Sequence, residues 1–446
     1  MIKSKFFNQK NFSFALFLFT LCFFFYGFIS EENSAGAGGL SGDFSNSWIT
    51  LQTFINNDIF TAIKTSSNSI SEKSQYISSR PPLIWIMNKY LNPFTDNQIT
   101  WLRSIFFLSL LAPILFYYCL KKKFPGISND KLILLSSTLL LSPYFRTSSY
   151  WGLEENYGII FTLISFIIFD IYRKDKTFFF KKFLKLFILT LTSSLCVYLD
   201  QKLLIIPLFF LIKIVNSKEK KTLKIFSAIL FLILAIPFIY LIFLWKNIIP
   251  TVDASNRGIG QILHLSHIGF TITILGFYFI PFFLFKEENY KLLLLNYFKT
   301  KKSFFLILAF IIYLITSFIF DNYQDVQYSH LGKGFVHKIS ILFFSDIKIQ
   351  KLFVYLSFII FYFVTTLFLN FKLSECLIVL YFIITSIFIH PLQQEYFDPL
   401  LLIFFFIFFN FKLKFCYKNI FLLYFYLLIF LFITKFYYLK KIPLVF

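Results

Sequence analysis

Three acidic residues have the type and position expected of a general base. Asp43 follows a run with four glycines between residues 36 and 42, and glycine permits tight turns and close approach of the backbone to a ligand. Glu154 and Glu155 are adjacent acids in a second polar segment. A positioned carboxylate can take a proton from an acceptor hydroxyl, so these three are the candidate catalytic residues. The alternatives are a cap or turn at Asp43 and the preference of helix N-termini for acids at Glu154 and Glu155.

Four basic residues are candidate phosphate ligands: Arg80, Arg146, Lys202 and Arg257. Guanidinium and ammonium groups form charge-assisted hydrogen bonds with phosphate oxygens. Long basic side chains at helix ends also snorkel towards the membrane surface or form salt bridges, and that alternative stays open for all four.

Metal and thiol chemistry are not indicated. His330 and His337 lack the compact spacing of a zinc site. The five cysteines lie within or beside apolar blocks and show no paired spacing, which is typical of small buried side chains. The sequence therefore indicates no cofactor, no bound metal and no disulfide, and dependence on a divalent metal stays open.

Membrane helices must position these residues. Hydrophobic residues make up 58% of the chain and charged residues 15%, against about a quarter charged in a soluble domain. The apolar residues fall in blocks of roughly 15–24, and a bilayer-spanning helix needs about 20. The predicted fold class is all-α, a polytopic membrane protein with about thirteen transmembrane helices. The predicted spans are 12–29, 99–120, 130–146, 156–172, 182–199, 201–217, 222–245, 267–286, 303–320, 351–371, 373–390, 398–412 and 419–438.

A long loop, residues 30–98, separates the first two spans. Pro81 and Pro82 can begin a helix but not continue one, and the apolar segment 83–91 is too short to cross a bilayer. We expect it to be an interfacial helix, with Trp85 and Tyr90 at headgroup level.

The charge distribution predicts the orientation. Of the 43 Lys and Arg residues, 27 lie in segments that become cytoplasmic if the N-terminus is inside, as the positive-inside rule favours. The net charge of +21 is then explained by sidedness, and nucleic-acid binding is not expected. The first apolar block also resembles a signal peptide, but its length favours a retained helix. We expect one integral membrane domain over 1–446, with a catalytic-type module at 12–215 and further helices at 216–446.

Several short motifs occur in a recognisable order along the first half of the chain. They are Asp43 in the first outer loop, Arg80-Pro81-Pro82-Leu83, Trp101-Leu102-Arg103-Ser104, Ser142-Pro143-Tyr144 with Trp151-Gly152-Leu153-Glu154-Glu155, and Asp200-Gln201-Lys202. This order resembles the multi-spanning GT-C type glycosyltransferases that use lipid-phosphate sugar donors. The pattern is most similar to the dolichyl-phosphate-mannose protein mannosyltransferases and the bacterial aminoarabinose transferases. The resemblance covers roughly residues 12–215.

The resemblance implies roles for individual residues. Asp43 matches the position of the family's catalytic acid, although Phe44 follows it where the family often has a second acid. Lys202 matches a lysine at an outer hairpin. Glu395, within the segment His390–Pro399, resembles part of a polar-aromatic loop before a late span and completes the predicted substrate-binding set.

The implied function is transfer of a sugar from a polyprenyl-phosphate donor to a lipid-linked glycan or other acceptor. The site would lie on the outer face of the cytoplasmic membrane, with membrane lipids around it. Such a donor needs an apolar groove for its tail, basic groups for its phosphate and a carboxylate to deprotonate the acceptor. The reaction would be a single displacement with inversion, the base standing opposite the leaving phosphate as in inverting glycosidases.

Two other classes remain open. A transporter or flippase of lipid-linked glycans should show broken helices or charges in mid-span, whereas the clearest acid within a span, Asp170, lies near its inner end. A polymerase or ligase of the O-antigen kind usually carries its large outer loop late in the chain, and here the longest loop comes first.

Overall fold

The computed structural model describes residues 9–35, 42–67, 76–78, 80–174, 179–250, 263–285, 290–320, 333–369, 373–389, 392–409 and 413–441. Contacts divide the chain into two compact units, Met1–Arg257 and Gly258–Phe446. The regular structure in these residues is helical, which confirms the all-α fold class. The predicted boundary at residue 215 and the single-domain description stay predictions.

The helices of the first unit alternate between long apolar rods and shorter polar pieces. In chain order they are α1 (Gln9–Ile29), α2 (Asp43–Asn56), α3 (Ile59–Lys64), α4 (Leu83–Leu91), α5 (Gln98–Ser109), α6 (Leu111–Lys123), α7 (Asn129–Ser137), α8 (Pro143–Tyr150), α9 (Glu155–Lys174), α10 (Phe179–Leu199), α11 (Ile205–Val215) and α12 (Lys221–Trp245). Single 3₁₀ turns occur at Thr65–Ser67, Thr138–Leu141 and Gln201–Leu204.

The second unit has the same kind of elements. Its helices are α13 (Ser266–Phe279), α14 (Tyr290–Lys299), α15 (Lys301–Phe320), α16 (Gly334–Phe343), α17 (Ile347–Phe368), α18 (Leu373–Ile387), α19 (Leu400–Ile407) and α20 (Tyr417–Lys441). Its 3₁₀ turns are Ile280–Phe285 and Gln394–Tyr396.

Eight helices among the described residues are long and apolar enough to cross a membrane, so the chain is a multi-pass helical membrane protein. They are Gln9–Ile29, Gln98–Lys123, Glu155–Lys174, Phe180–Leu199, Lys221–Trp245, Ser266–Phe283, Ile347–Phe368 and Tyr417–Tyr438. Each overlaps one of the thirteen predicted spans. The count of thirteen stays a prediction.

The predicted span at 130–146 is interrupted. Helix α7 ends at Ser137, and a new helix begins at Pro143, whose missing N–H suits the first turn of a helix but not its interior. The Ser142 side chain accepts a hydrogen bond from Phe145 N at 3.0 Å and caps the new helix. The predicted spans 201–217 and 398–412 are also shorter than expected, with helices of 11 and 8 residues.

The long loop between the first two predicted spans contains helices α2, α3 and α4, and α4 begins and ends where the sequence predicted. Pro82 stands at the N-terminal boundary of α4. Tyr90 is exposed, whereas Trp85 is fully buried within the first unit. The headgroup-level depth of both residues stays a prediction.

Candidate functional site

Three separate segments bring five charged side chains together in the first unit. Arg80 comes from the stretch before α4, Glu154 and Glu155 from the start of α9, and Asp200 and Lys202 from the turn between α10 and α11. We call these five residues the charged cluster. Four of them, Arg80, Glu154, Glu155 and Lys202, were candidate site residues in the sequence.

Arg80 is the centre of the charged cluster. Its Nη2 lies 2.7 Å from Glu155 Oε1, its Nε 3.4 Å from Glu154 Oε1, and its Nη1 4.0 Å from Asp200 Oδ1. Two backbone contacts hold this residue, because Arg80 N donates to Ser78 Oγ at 3.1 Å and the Tyr76 hydroxyl donates to Arg80 O. One guanidinium therefore reaches three carboxylates on two other segments.

Lys202 contacts two of these acids from the turn between α10 and α11. Its Nζ lies 3.0 Å from Asp200 Oδ2 and 3.7 Å from Glu155 Oε1. Asp200 also accepts a hydrogen bond from Lys202 N at 3.1 Å, which fixes the 3₁₀ turn. Asp200 was seen in the sequence only as part of the motif and not as a site residue. Its spacing of two from Lys202, at a turn between apolar runs, was the available signal.

Two serines complete the surroundings of the glutamates. Ser78 Oγ donates to Glu154 Oε1 at 3.2 Å, and Ser148 Oγ donates to Glu155 Oε2 at 3.2 Å. These hydroxyl partners were not predicted, since nothing in the sequence distinguishes them from the other serines. The side chains are nearly inaccessible, at 12% exposure for Arg80, 14% for Lys202 and 0% for Asp200.

The charges of the cluster are unequal, with two cations and three carboxyls. Burial and the charge of Glu155 together raise the pKa of Glu154 from its ordinary 4.5 to about 8, against the opposing effect of Arg80. Glu154 therefore keeps a proton at neutral pH. A carboxyl whose pKa lies near neutral can act as either donor or acceptor of a proton.

An apolar groove reaches the turn between α10 and α11, where Leu204 lines it. It has a volume of about 360 Å³ and lies among α10, α11 and α12, with Val197, Tyr198, Leu204, Leu208, Phe231 and Phe238 among its lining residues. Tyr198 and Leu204 flank the turn that carries Asp200 and Lys202. The groove lining is hydrocarbon apart from two hydroxyl-bearing side chains, so it suits an aliphatic chain.

A tyrosine and a proline shape this groove. Pro237 lies inside α12, where it removes one backbone donor. The Tyr198 hydroxyl enters the opened helix, donating to Leu234 O and accepting from Phe238 N at 3.1 Å. Insertion of a side chain into a helical hydrogen-bond ladder is a recognised cause of a bend. Tyr198 thus satisfies the backbone of α12 where that helix faces α10.

Arg146 makes a separate ion pair. Its Nε and Nη2 lie 2.7 and 2.8 Å from the two carboxylate oxygens of Glu32, a bidentate geometry. The guanidinium also donates to Leu140 O and Phe23 O, both at 3.1 Å, and is completely buried. Every donor group of the side chain has a partner within the protein, so the predicted contact of Arg146 with substrate stays a prediction without structural support.

The remaining candidates are not members of the charged cluster, and one lies outside the described residues. Asp43 is exposed and is the first residue of α2, while its neighbour Phe44 is buried against Trp101 at a ring distance of 5.7 Å. Arg257 lies outside the described residues. Glu395 belongs to the second unit, where its charge acts on Lys338.

No group of three His, Cys, Asp or Glu residues in the described part of the chain could hold a metal ion. No protein-family model, curated protein or solved structure matches the chain. The family resemblance therefore rests on the motifs alone, and what sequence and fold together establish is a multi-pass helical membrane protein with a buried charged cluster.

Proposed function

We propose that the chain is a membrane glycosyltransferase that transfers a sugar from a polyprenyl-phosphate donor to a lipid-linked glycan or other acceptor. The reaction would take place on the outer face of the cytoplasmic membrane. The observation that supports this most is that Tyr198 and Leu204, which line the apolar groove, flank the turn that carries Asp200 and Lys202. A donor of this class has an aliphatic tail joined directly to a phosphate, and the two features would serve those two parts.

The groove would receive the first isoprene units of the tail, next to Tyr198 and Leu204. Lys202 stands at the turn between these residues, so its ammonium is the group best placed to meet the phosphate. Arg80 is the second phosphate ligand, because its guanidinium lies in the same cluster. Both cations are paired with carboxylates, so an arriving phosphate would have to take over some of these contacts.

Protonation of Glu154 reduces the electrostatic cost of this exchange of partners. Adding a phosphate near two cations and three ionised acids would be strongly unfavourable in a buried place. With Glu154 protonated, two cations already balance two carboxylates, and uptake of another proton would limit the excess negative charge. A protonated Glu154 reduces the excess negative charge that an anionic substrate would meet in the cluster.

The general base remains a choice among Asp43, Glu154 and Glu155. Asp43 is exposed and carries the family resemblance, and an exposed carboxylate can meet an acceptor that arrives from water or the membrane surface. Glu154 has the pKa closest to neutral. In a single displacement with inversion the base takes the acceptor proton while the acceptor oxygen replaces the phosphate at the anomeric carbon.

A transporter or flippase of lipid-linked glycans is the second candidate. The interruption between α7 and α8, in a stretch predicted to be one span, favours it, because transporters often build sites from broken helices. The proline in α12 favours it as well. A polymerase or ligase of the O-antigen kind gains no comparable support.

The test uses the full chain in membranes supplied with candidate polyprenyl-phosphate sugars and acceptor lipids, with mass analysis of the products. We expect a glycosylated acceptor and released polyprenyl phosphate. The Asp43→Asn variant should lose about 10²- to 10⁴-fold in rate if Asp43 is the base. The Lys202→Ala variant should weaken donor binding, and Lys218→Ala, at an exposed position, is the matched control.

Two outcomes would reject the proposal. Transbilayer movement of an intact lipid-linked glycan without any change in its mass would favour the transporter. Unchanged product formation in Asp43→Asn, Glu154→Gln and Glu155→Gln would remove all three base candidates and with them the mechanism.

A further inference from the structure

The second unit contains a compact group of buried hydrogen-bond donors at the start of α16. Lys333, His337 and Lys338 are all less than a tenth exposed. Lysine is almost never this buried unless a counter-charge accompanies it. The group belongs to a different unit from the charged cluster and has no part in the function proposed above.

Lys338 lacks a close acidic partner. Its Nζ donates to the Tyr438 hydroxyl and stands over the rings of Tyr438 and Tyr437 at 4.7 and 5.5 Å. In the described part of the chain, no carboxylate lies within the 4.0 Å of an ion pair with this group. Burial lowers the pKa of Lys338 to about 8 and the charge of Glu395 acts against that shift, so most of the protein carries a buried ammonium at pH 7.

Gln394 supplies a second donor without an acceptor. Its Oε1 accepts from Phe335 N, in the first turn of α16, at 2.7 Å. This bond orients the amide, so Nε2 is turned the other way, and Nε2 is buried with no hydrogen-bond partner. Gln394 is 2% exposed, and leaving such a group unpaired costs about 1–3 kcal/mol.

The backbone places the Gln394 amide and Lys338 near one face of α16. A side chain at Gly334 would lie 3.6 Å from Gln394 Oε1, and Lys338 is four residues further along the same face. Lys333 and Gly334 both have positive φ angles, 67° and 77°. Such a backbone is uncommon for lysine, and it lets the chain turn sharply into α16.

We propose that Lys338 and the Nε2 group of Gln394 bind the phosphate group of an anionic ligand beside the start of α16. An ammonium and an amide N–H are both donors, and the missing partner is a group with several acceptor oxygens. Phosphate matches that need better than a single-atom anion. In a membrane protein it can come from a lipid headgroup or from water.

The experiment measures thermal unfolding of the full chain in phosphatidylcholine nanodiscs. One arm adds inorganic phosphate, and the other replaces a minor fraction of the lipid with phosphatidic acid. We expect a saturable rise in the unfolding temperature, because a ligand that binds only the folded state stabilises it. A rise with phosphate indicates a soluble source, and a rise with phosphatidic acid alone indicates a lipid source.

Variants identify the site. Lys338→Met and Gln394→Leu should each lower the affinity for the stabilising ligand by about tenfold. Lys348→Met, at an exposed position in the same unit, should leave that affinity unchanged. Gln394→Leu removes an uncharged donor, so it keeps the test decisive if Lys338→Met does not fold. The absence of stabilisation by either phosphate source, or equal stabilisation of wild type and both site variants, would overturn the proposal. Neither result depends on glycosyl transfer.

Discussion

The two adjacent glutamates of the charged cluster should respond in opposite ways to replacement by glutamine. Glu155 is bound by Arg80 at 2.7 Å and by Lys202 at 3.7 Å, whereas Arg80 is 3.4 Å from Glu154. Glu154 is the protonated member of the pair at neutral pH. We therefore expect Glu154→Gln to be neutral at low pH and stabilising at neutral pH, and Glu155→Gln to be clearly destabilising.

The size of the effect follows from the pKa. The Glu154 carboxyl has a pKa of about 8 in the folded protein, against the ordinary value of 4.5 that we take for the unfolded chain. Between these values the folded protein binds the additional proton, so its stability falls as the pH rises. At pH 7 the loss amounts to at most about 3 kcal/mol, and Glu154→Gln should remove this dependence on pH.

Glu155→Gln acts differently because it leaves two buried cations with fewer counter-charges. Removal of one partner from a buried ion pair costs about 3–5 kcal/mol. Asp200 remains near both cations, and Glu154 can ionise once its charged neighbour is gone, so we expect about 1–3 kcal/mol. The destabilisation should be smallest at high pH, where ionised Glu154 replaces the lost charge.

The assay is thermal unfolding of the full-length protein in detergent, followed by tryptophan fluorescence at several pH values between about 5 and 9. Wild type should lose stability across this range, and Glu154→Gln should show a flatter profile. If the stability of Glu154→Gln fell with rising pH as steeply as that of the wild type, the proton would lie on a group other than Glu154. If both variants were equally destabilised, the assignment of the proton to one glutamate would be refuted.

Three further predictions test the fold around the site. Gly27→Ala should lower the free energy of unfolding by about 1–3 kcal/mol, because the new methyl group would lie 2.5 Å from the buried guanidinium of Arg146. Gly126→Ala is the control, because a methyl group there meets nothing within 4 Å and should leave the unfolding temperature unchanged. Tyr198→Phe removes the hydroxyl that bridges α12 and should cost about 1–3 kcal/mol; an unchanged unfolding temperature would contradict the bridging role. Cysteines placed at the exposed positions Thr61 and Lys218, in a chain without its native cysteines, should react with an impermeant reagent in intact cells only at Thr61. The reverse labelling would invert the predicted orientation.

The sequence predicted the fold class because composition alone fixes it. A chain that is 58% hydrophobic with repeated apolar blocks has few ways to be stable outside a membrane. Where prediction failed, local chemistry was the reason. The span at 130–146 was read from hydrophobicity, although Ser142-Pro143 is a typical helix start and ends the preceding helix.

Four of the five members of the charged cluster were predicted as site residues, but their pairing was not. Arg80 and Glu155 are 75 residues apart in the chain, and nothing in either local sequence indicates the other. Glu32 was not singled out, although it is the partner of Arg146 over a separation of 114 residues. Such contacts depend on how helices pack, and hydrophobic periodicity carries no information on which polar ends meet.

The Glu32–Arg146 ion pair and the charged cluster differ in geometry, and the difference indicates a structural role for the pair and a functional role for the cluster. Glu32 and Arg146 are matched one to one with bidentate geometry, and two carbonyls occupy the remaining guanidinium donors. An arriving ligand would have to break that pair at high cost. The charged cluster instead has more carboxyls than cations, contacts between 2.7 and 4.0 Å, and one carboxyl whose pKa is near neutral. Unequal, loosely spaced and protonatable groups can be rearranged around a ligand, and titratable groups with strongly shifted pKa values concentrate at functional sites. Arg80 and Lys202 are therefore the basic residues from which the search for substrate contacts should begin, and Arg146 is the matched structural control.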